Sequence, residues 1–196
     1  MNEAQLPADP IELFSTWLEE ASHQPLHNGV TVATVGPDGQ PSARIVLLRG
    51  HDEHGFVFYT NYESRKAREL EANPRAAMLC WWRELGRQIR IEGLISRVSR
   101  GESEAYFRSR PRGSCLGAWA STQSATILDR AELDRRLEEA TAQFSDQEEV
   151  PCPPHWGGYR LVPAAIEFWE EQPDRLHDRL RYRKDEGRWI IERLAP

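Results

Sequence analysis

Val30-Thr31-Val32-Ala33-Thr34-Val35, then Pro37-Asp38-Gly39, then Ser42-Ala43-Arg44-Ile45-Val46-Leu47-Leu48: two runs rich in β-branched residues flank a turn sequence. The runs read as strands and Pro-Asp-Gly as the hairpin turn between them. Working outward, Phe56 to Thr60 is a third strand and Ser64 to Asn73 a short helix closed by Pro74. Ala76 to Trp82 and Gln88 to Val98 are two more strands joined by a polar turn. Upstream, Asp9 caps a first helix, Pro10 suits its first turn, and Glu12 completes a capping-box-like pattern. Ile11, Phe14, Leu18 and Ala21 then recur at helical spacing. Downstream, helical segments are predicted near Glu102 to Arg108 and over Asp129 to Phe144. The second carries Leu133, Leu137, Ala140 and Phe144 on one face, with Asp129 and Glu132 as a capping pair. After a joint at Pro151, Pro153 and Pro154, strands return at Tyr159 to Val162, Ala165 to Trp169, Leu176 to Tyr182 and Trp189 to Arg193. Strands dominate, with no internal repeat and no linker long enough to divide the chain. The expected fold is mainly β, one antiparallel barrel-like sheet with flanking helices, and one domain over 1–196.

The bulk numbers agree. The 196 residues are enough for one domain with a real core, and 39% hydrophobic with 29% charged residues is a globular composition. No run of about 18 apolar residues is present, so no membrane partner is expected. The N-terminus lacks the basic-then-apolar pattern of a signal peptide. Cys80, Cys115 and Cys152 are odd in number and form neither a disulfide framework nor a metal-ligand spacing, which points to a reducing cytoplasm and no metal. A net charge of −6 argues against a nucleic-acid partner. The charge is uneven, however: Asp129 to Val150 is acid-rich and Arg175 to Lys184 strongly basic. Either a small anion binds where cations gather, or the basic stretch is a solvated surface.

Three cationic places ask for an explanation. If Ser64 caps its helix, Arg65 and Lys66 occupy a first turn where the helix dipole already disfavours cations. Free N–H groups plus two cations make a phosphate site; the plain alternative is two side chains pointing into water. Arg108-Ser109-Arg110-Pro111-Arg112-Gly113-Ser114 reads as a compact turn projecting arginine forks that match phosphate oxygens, or as a solvated basic loop. Arg175-Leu176-His177-Asp178-Arg179-Leu180-Arg181 alternates with period two. On a strand, Arg175, His177, Arg179 and Arg181 would share one face and repel unless an anion or acids such as Glu167 or Glu170 lay against them. This pattern favours a ligand. No Gly-x-Ser-x-Gly elbow, Walker loop or dinucleotide glycine fingerprint is present. Phosphorylated ligands on a β-rich domain are the reading that remains, with Trp169 and Trp119 as aromatic surface for a planar ring, or simply as core.

At these same residues the chain resembles the pyridoxamine 5'-phosphate oxidases, from about Leu6 to Pro196. The resemblance runs through Arg44-Ile45-Val46-Leu47-Leu48, Phe58-Tyr59-Thr60-Asn61 with Ser64-Arg65-Lys66, and Ser109-Arg110-Pro111-Arg112-Gly113-Ser114. It continues through Leu116-Gly117-Ala118-Trp119-Ala120-Ser121, Trp156-Gly157-Gly158-Tyr159-Arg160, Ile166-Glu167-Phe168-Trp169, Arg175-Leu176-His177-Asp178-Arg179 and the ending Ile191-Glu192-Arg193-Leu194-Ala195-Pro196. It implies a split β-barrel that binds flavin mononucleotide (FMN) at the interface of a homodimer, with a dimerisation and substrate segment at about 151–196. The family's flavin positions fall on Arg44, Tyr59, Thr60, Arg65, Lys66, Gln88, Gln123, Ser124, Trp169 and Arg179. Its substrate-phosphate positions fall on Tyr106, Arg110 and Ser114, and on Arg49, where a lysine is usual. Arg175 and His177 fall over the substrate ring, as catalytic residues that orient it and assist proton movement. The reaction implied is oxidation of pyridoxamine or pyridoxine 5'-phosphate, a vitamin B6 vitamer, to pyridoxal 5'-phosphate. Molecular oxygen is the acceptor and hydrogen peroxide the second product.

Besides Arg49, the chain reads Leu26-His27-Asn28-Gly29-Val30 where many members have an acidic-Pro-Asn-Ala-Met segment. It starts close to Leu6-Pro7-Ala8-Asp9-Pro10, so the longer segment that covers the substrate in some members is not expected. Two rivals stand beside the main reading: a sister FMN oxidase of the phenazine type, and a non-catalytic flavin or pyridoxal phosphate binding protein. Arg110, Ser114, Arg175 and His177 together favour the B6 substrate.

Overall fold

In the computed structural model, which describes residues 1–196, the quoted stretch is a hairpin of β1 (Gly29–Val35) and β2 (Pro41–Asp52). Along β1, Val30, Val32 and Thr34 are buried and alternate with half-buried neighbours, as a strand with one face on a core should. At the turn Gly39 has φ +80°, in the left-handed region that glycine enters without strain, and the Asp38 carboxylate accepts from the Gln40 N–H at 3.0 Å. β3 (Gly55–Asn61), β4 (Arg75–Trp82) and β5 (Arg87–Arg97) follow, with α2 (Arg65–Ala72) between β3 and β4. Upstream, α1 (Pro10–Glu20) starts as expected, the Asp9 carboxylate accepting from the Ile11 N–H at 2.9 Å.

The strands run in the order β3-β2-β1-β4-β5-β6, and β6 pairs back to β3, which closes a six-stranded antiparallel barrel. The expected strands Tyr159 to Val162 and Ala165 to Trp169 are one continuous β6 (Trp156–Glu170). Its first part pairs with β3, its last part with β7 (Asp178–Asp185), and nearly all of it with β5. A register shift at Glu92/Gly93 absorbs the proline at 163. Beyond β7, β8 (Arg188–Arg193) extends the sheet outside the barrel. Phe14 and Trp17 of α1 pack on the barrel interior, with Phe14 edge-on to Phe56 at 4.8 Å and Trp17 edge-on to Phe168 at 5.2 Å. Met78, Ile89, Ile91, Leu161, Ile166 and Tyr182 complete the filling.

Three expectations need correction. The stretch after Arg108 is not a loop carrying three arginines: α3 (Arg100–Arg108) and α4 (Arg112–Ala120) meet at a short Ser109–Pro111 joint, so Arg112 and Ser114 are helical. In α5 (Arg130–Gln143) and its cap, Ala140 and Phe144 are buried, but Leu137 is exposed, so the apolar stripe covers only the last turn. The strand predicted from Leu176 begins only at Asp178. Pro173–Arg175 form a 3-10 turn, with φ +56° at Asp174 and +62° at Arg175, and Leu176 is exposed. Helices α3 to α5 lie over the start of β6 around a second cluster of Phe107, Cys115, Leu116, Phe144, Val150 and Trp156.

Candidate active site

The helix start at Ser64 is where the sequence put it. The Ser64 hydroxyl accepts from the Ala67 N–H, and Arg65 and Lys66 fill the first turn. Lys66 does not point into water. It is buried, and its Nζ donates to Thr60 Oγ1 at 2.9 Å, Gln123 Oε1 at 2.8 Å and Ser64 Oγ at 3.2 Å. Burial, reinforced by the nearby Arg44 charge, lowers its pKa to about 8, with Glu69 opposing. Arg65 donates through Nε to Glu69 Oε1 at 2.8 Å.

These groups line a cavity of about 660 Å³, a size suited to a cofactor with a small substrate. β2 contributes Arg44 and Arg49, the end of β3 Tyr59 and Thr60, α2 Arg65 and Lys66. The α3–α4 side contributes Tyr106, Arg110 and Ser114, and the segment after α4 Gln123 and Ser124. No acidic residue lines it. Tyr59 stacks against two other rings, 4.0 Å from Tyr106 and 5.5 Å from Trp156, and burial first of all pushes its hydroxyl pKa up to about 12. Arg110 lies over Trp156, its Cζ 4.7 Å from the ring centroid, and its Nη2 donates to the Ser114 carbonyl at 3.0 Å. Its Nη1 is buried with no hydrogen-bond partner. A buried guanidinium N–H without an acceptor is costly, so the donor set fits an anion such as a phosphate oxygen. Arg49 lies over the Tyr106 ring, its Cζ 5.8 Å from the centroid.

The remaining predicted residues lie elsewhere in the chain. Gln88, Trp169 and Arg179 are neighbours in one row across β5, β6 and β7. The His177 ring sits 4.5 Å from that of Trp169, and its Nδ1 accepts from the Gln172 N–H at 3.2 Å. Gln88, Trp169, Arg175, His177 and Arg179 do not line the cavity of the same chain. The idea of one basic strand face also fails, because Arg175 belongs to the turn. Within the strand, acids do the neutralising: Arg179 pairs with Glu167 at 2.8 Å and Arg181 with Glu192 at 2.6 Å.

Sequence reading missed two residues here. Trp156, and not Trp119, provides cavity aromatic surface; the Trp119 indole N–H is spent on the Pro151 carbonyl at 2.8 Å. Glu69, behind Arg44 and Arg65, looked like an ordinary helix acid; its four-residue spacing from Arg65 was the available signal.

Residues 19–144 match the family model described as pyridoxamine 5'-phosphate oxidase. Residues 156–196 match that described as the pyridoxine 5'-phosphate oxidase C-terminal dimerisation region. A pyridoxine/pyridoxamine 5'-phosphate oxidase of Pseudomonas paraeruginosa is 56% identical over 200 residues, covering 100% of this chain and 93% of that protein. Among solved structures, PhzG from Burkholderia lata 383 in complex with tetrahydrophenazine-1-carboxylic acid superposes with a TM-score of 0.92 at 34% identity, covering 98% of this chain and 95% of that one. A pyridoxamine 5'-phosphate oxidase-related, FMN-binding protein from Nostoc punctiforme shares the fold at a TM-score of 0.76 and 17% identity, over 94% of this chain and 96% of its own.

Proposed function

The chain belongs to the pyridoxamine 5'-phosphate oxidase family, and on that premise we propose that it oxidises pyridoxamine or pyridoxine 5'-phosphate to pyridoxal 5'-phosphate with FMN, as a cytoplasmic homodimer. The observation that carries the reading is the unpartnered, buried Nη1 of Arg110 in a cavity lined by cations and no acid. Bound FMN supplies a two-electron acceptor that molecular oxygen regenerates with release of hydrogen peroxide. The chain's part is to bind, orient and exclude water. Lys66 and Arg65 at the helix start, with Arg44, Tyr59, Thr60, Gln123 and Ser124, hold the flavin from one subunit. Gln88, Trp169 and Arg179 hold it from the second. Arg49, Tyr106, Arg110 and Ser114 take the substrate phosphate. Arg175 and His177 lie over the substrate ring, and His177, whose Nδ1 accepts from the Gln172 N–H, carries its hydrogen on Nε2 and presents that N–H as a donor that orients the substrate. All of 1–196 then works as one domain, the segment from about 151 serving both the dimer and the substrate. The free thiols of Cys80, Cys115 and Cys152 suit a reducing compartment.

The likeness to PhzG favours one second reading, a phenazine-type oxidase on the same fold. The number of donors speaks for the B6 vitamer, because Arg49, Tyr106, Arg110 and Ser114 together suit the three free oxygens of a phosphate better than the two of a carboxylate. The test is an oxygen-consumption and peroxide assay of purified, FMN-loaded protein with both B6 phosphates and a reduced tricyclic carboxylate. Turnover of a B6 phosphate supports the proposal. Turnover of the tricycle alone establishes the second reading, and turnover of neither leaves a binding protein.

A further inference from the structure

Glu69 is 5% exposed and does not itself line the cavity, yet both arginines it holds do. Its Oε1 accepts from Arg65 Nε at 2.8 Å. Its Oε2 accepts from Thr34 Oγ1 at 2.5 Å, Ser42 Oγ at 2.6 Å and Arg44 Nη2 at 3.3 Å. One carboxylate thus ties β1, β2 and α2 together behind the cationic wall. Arg44 is further fixed by donation from Nη1 to Thr34 Oγ1 at 2.6 Å and to the Val32 carbonyl at 3.2 Å. Arg65 is held only through Nε, so both its terminal nitrogens stay available to an anion. Without that hold, a half-exposed arginine in a first helical turn would sweep many rotamers, pushed outward by the helix dipole. Anchoring it beforehand removes ordering entropy from the binding step.

We propose that Glu69 is a positioning residue for phosphate recognition, fixing Arg44 and Arg65 so that the site prefers a phosphorylated ligand over the same ligand without its phosphate. The proposal rests on FMN being the ligand of this wall. Glu69 remains charged at neutral pH: burial alone would raise its pKa, but hydrogen bonds from Ser42, Thr34 and Arg65 hold it down to about 2.

The test titrates apoprotein with FMN and, separately, with riboflavin, following flavin fluorescence, in the wild type, Glu69→Ala and Glu69→Asp. Circular dichroism verifies folding. Wild type should bind FMN far more tightly than riboflavin. Glu69→Ala should lower FMN affinity by about tenfold or more, the scale of one lost charge-assisted contact, and leave riboflavin affinity within about twofold. Glu69→Asp keeps the charge but withdraws it by one methylene, and should lower the FMN preference by about threefold or more, a fraction of that contact. It decides the matter if Glu69→Ala does not fold. A folded variant with the wild-type preference overturns the proposal, as does equal loss of both ligands, which marks a merely structural acid. A wild type with no preference for FMN overturns the cofactor reading first and the role of Glu69 with it.

Discussion

Arg49 shows how much one residue can carry. Its parity in the sequence groups it with Ile45 and Leu47, opposite Arg44, and seemed to need a twist at a strand end to reach a pocket. β2 instead runs on to Asp52, and Arg49 is the unpaired residue of a bulge between Leu48 and Gly50. Ile45 and Leu47 line the cavity as well, so β2 reaches it from both parities. Arg49→Ala should therefore weaken substrate and spare the cofactor. Loss of a charge-assisted phosphate contact costs about 1.5–3 kcal/mol, so the Michaelis constant for a B6 phosphate should rise roughly tenfold or more, with flavin affinity little changed. Steady-state kinetics and flavin titration on the same preparation check both halves. A collapse of flavin binding with intact substrate kinetics would move Arg49 to the cofactor, and no change in either would leave it a solvent cation.

Among the elements, the long strand β6 is the one the sequence divided in two. Pro163 interrupts the donor pattern, and a proline inside a strand ordinarily signals an edge or an end. The structure keeps the strand whole by bulging β6 itself: Ala165 faces Glu92 and Pro163 faces Gly93, which leaves Ala164 unpaired, and a Cβ added to Gly93 would lie 2.0 Å from the Val162 carbonyl oxygen. Gly93→Ala should therefore destabilise the protein by about 1–3 kcal/mol through backbone overpacking, read as a fall in the thermal midpoint. An unchanged midpoint would mean the strands separate there at no cost. Elsewhere local patterns were legible where a periodic face coincides with a cap, as in α1 and the first hairpin. They failed where one residue type serves two purposes. Pro111 and Gly113 looked like helix breakers, yet Pro111 is the N-cap of α4, and prolines suit helix starts. The period-two reading of Arg175 to Arg181 failed because Asp174 and Arg175 take positive φ, which no side-chain pattern announces.

At the scale of the whole molecule, the predicted site divides into the cationic cavity and the row of Gln88, Trp169 and Arg179. The cavity was legible because its cations sit in recognisable local contexts. That the row does not face the same chain's cavity was not, because no one-dimensional pattern says which copy a side chain serves. If the site is shared between subunits, two inactive variants should rescue each other. Arg65→Ala spoils one half and Arg179→Ala the other. Co-expressed, they should form mixed dimers in which one of the two sites is intact, restoring about a quarter of wild-type activity under random pairing of a two-fold assembly. Separately purified homodimers should stay inactive. A co-expressed pair as inactive as either variant alone would place both halves in one subunit, and light scattering that finds a flavin-loaded monomer would do the same.

The closure of the barrel by β6 on β3 also bears on how the chain is made. Phe56 to Asn61 must wait for Trp156 to Leu161, and every residue between them leaves the ribosome first. At roughly 5–20 residues per second, β3 stands for several seconds as an open, largely apolar edge. α3 to α5, synthesised in that interval, have no β6 to pack on either. The nascent protein therefore passes through a stage with an unpaired strand and an uncovered interior, the condition in which sheet edges associate with other chains. A chain that stops short of Trp156 would not be a smaller barrel but an open sheet held at that stage, a substrate for chaperones and proteases.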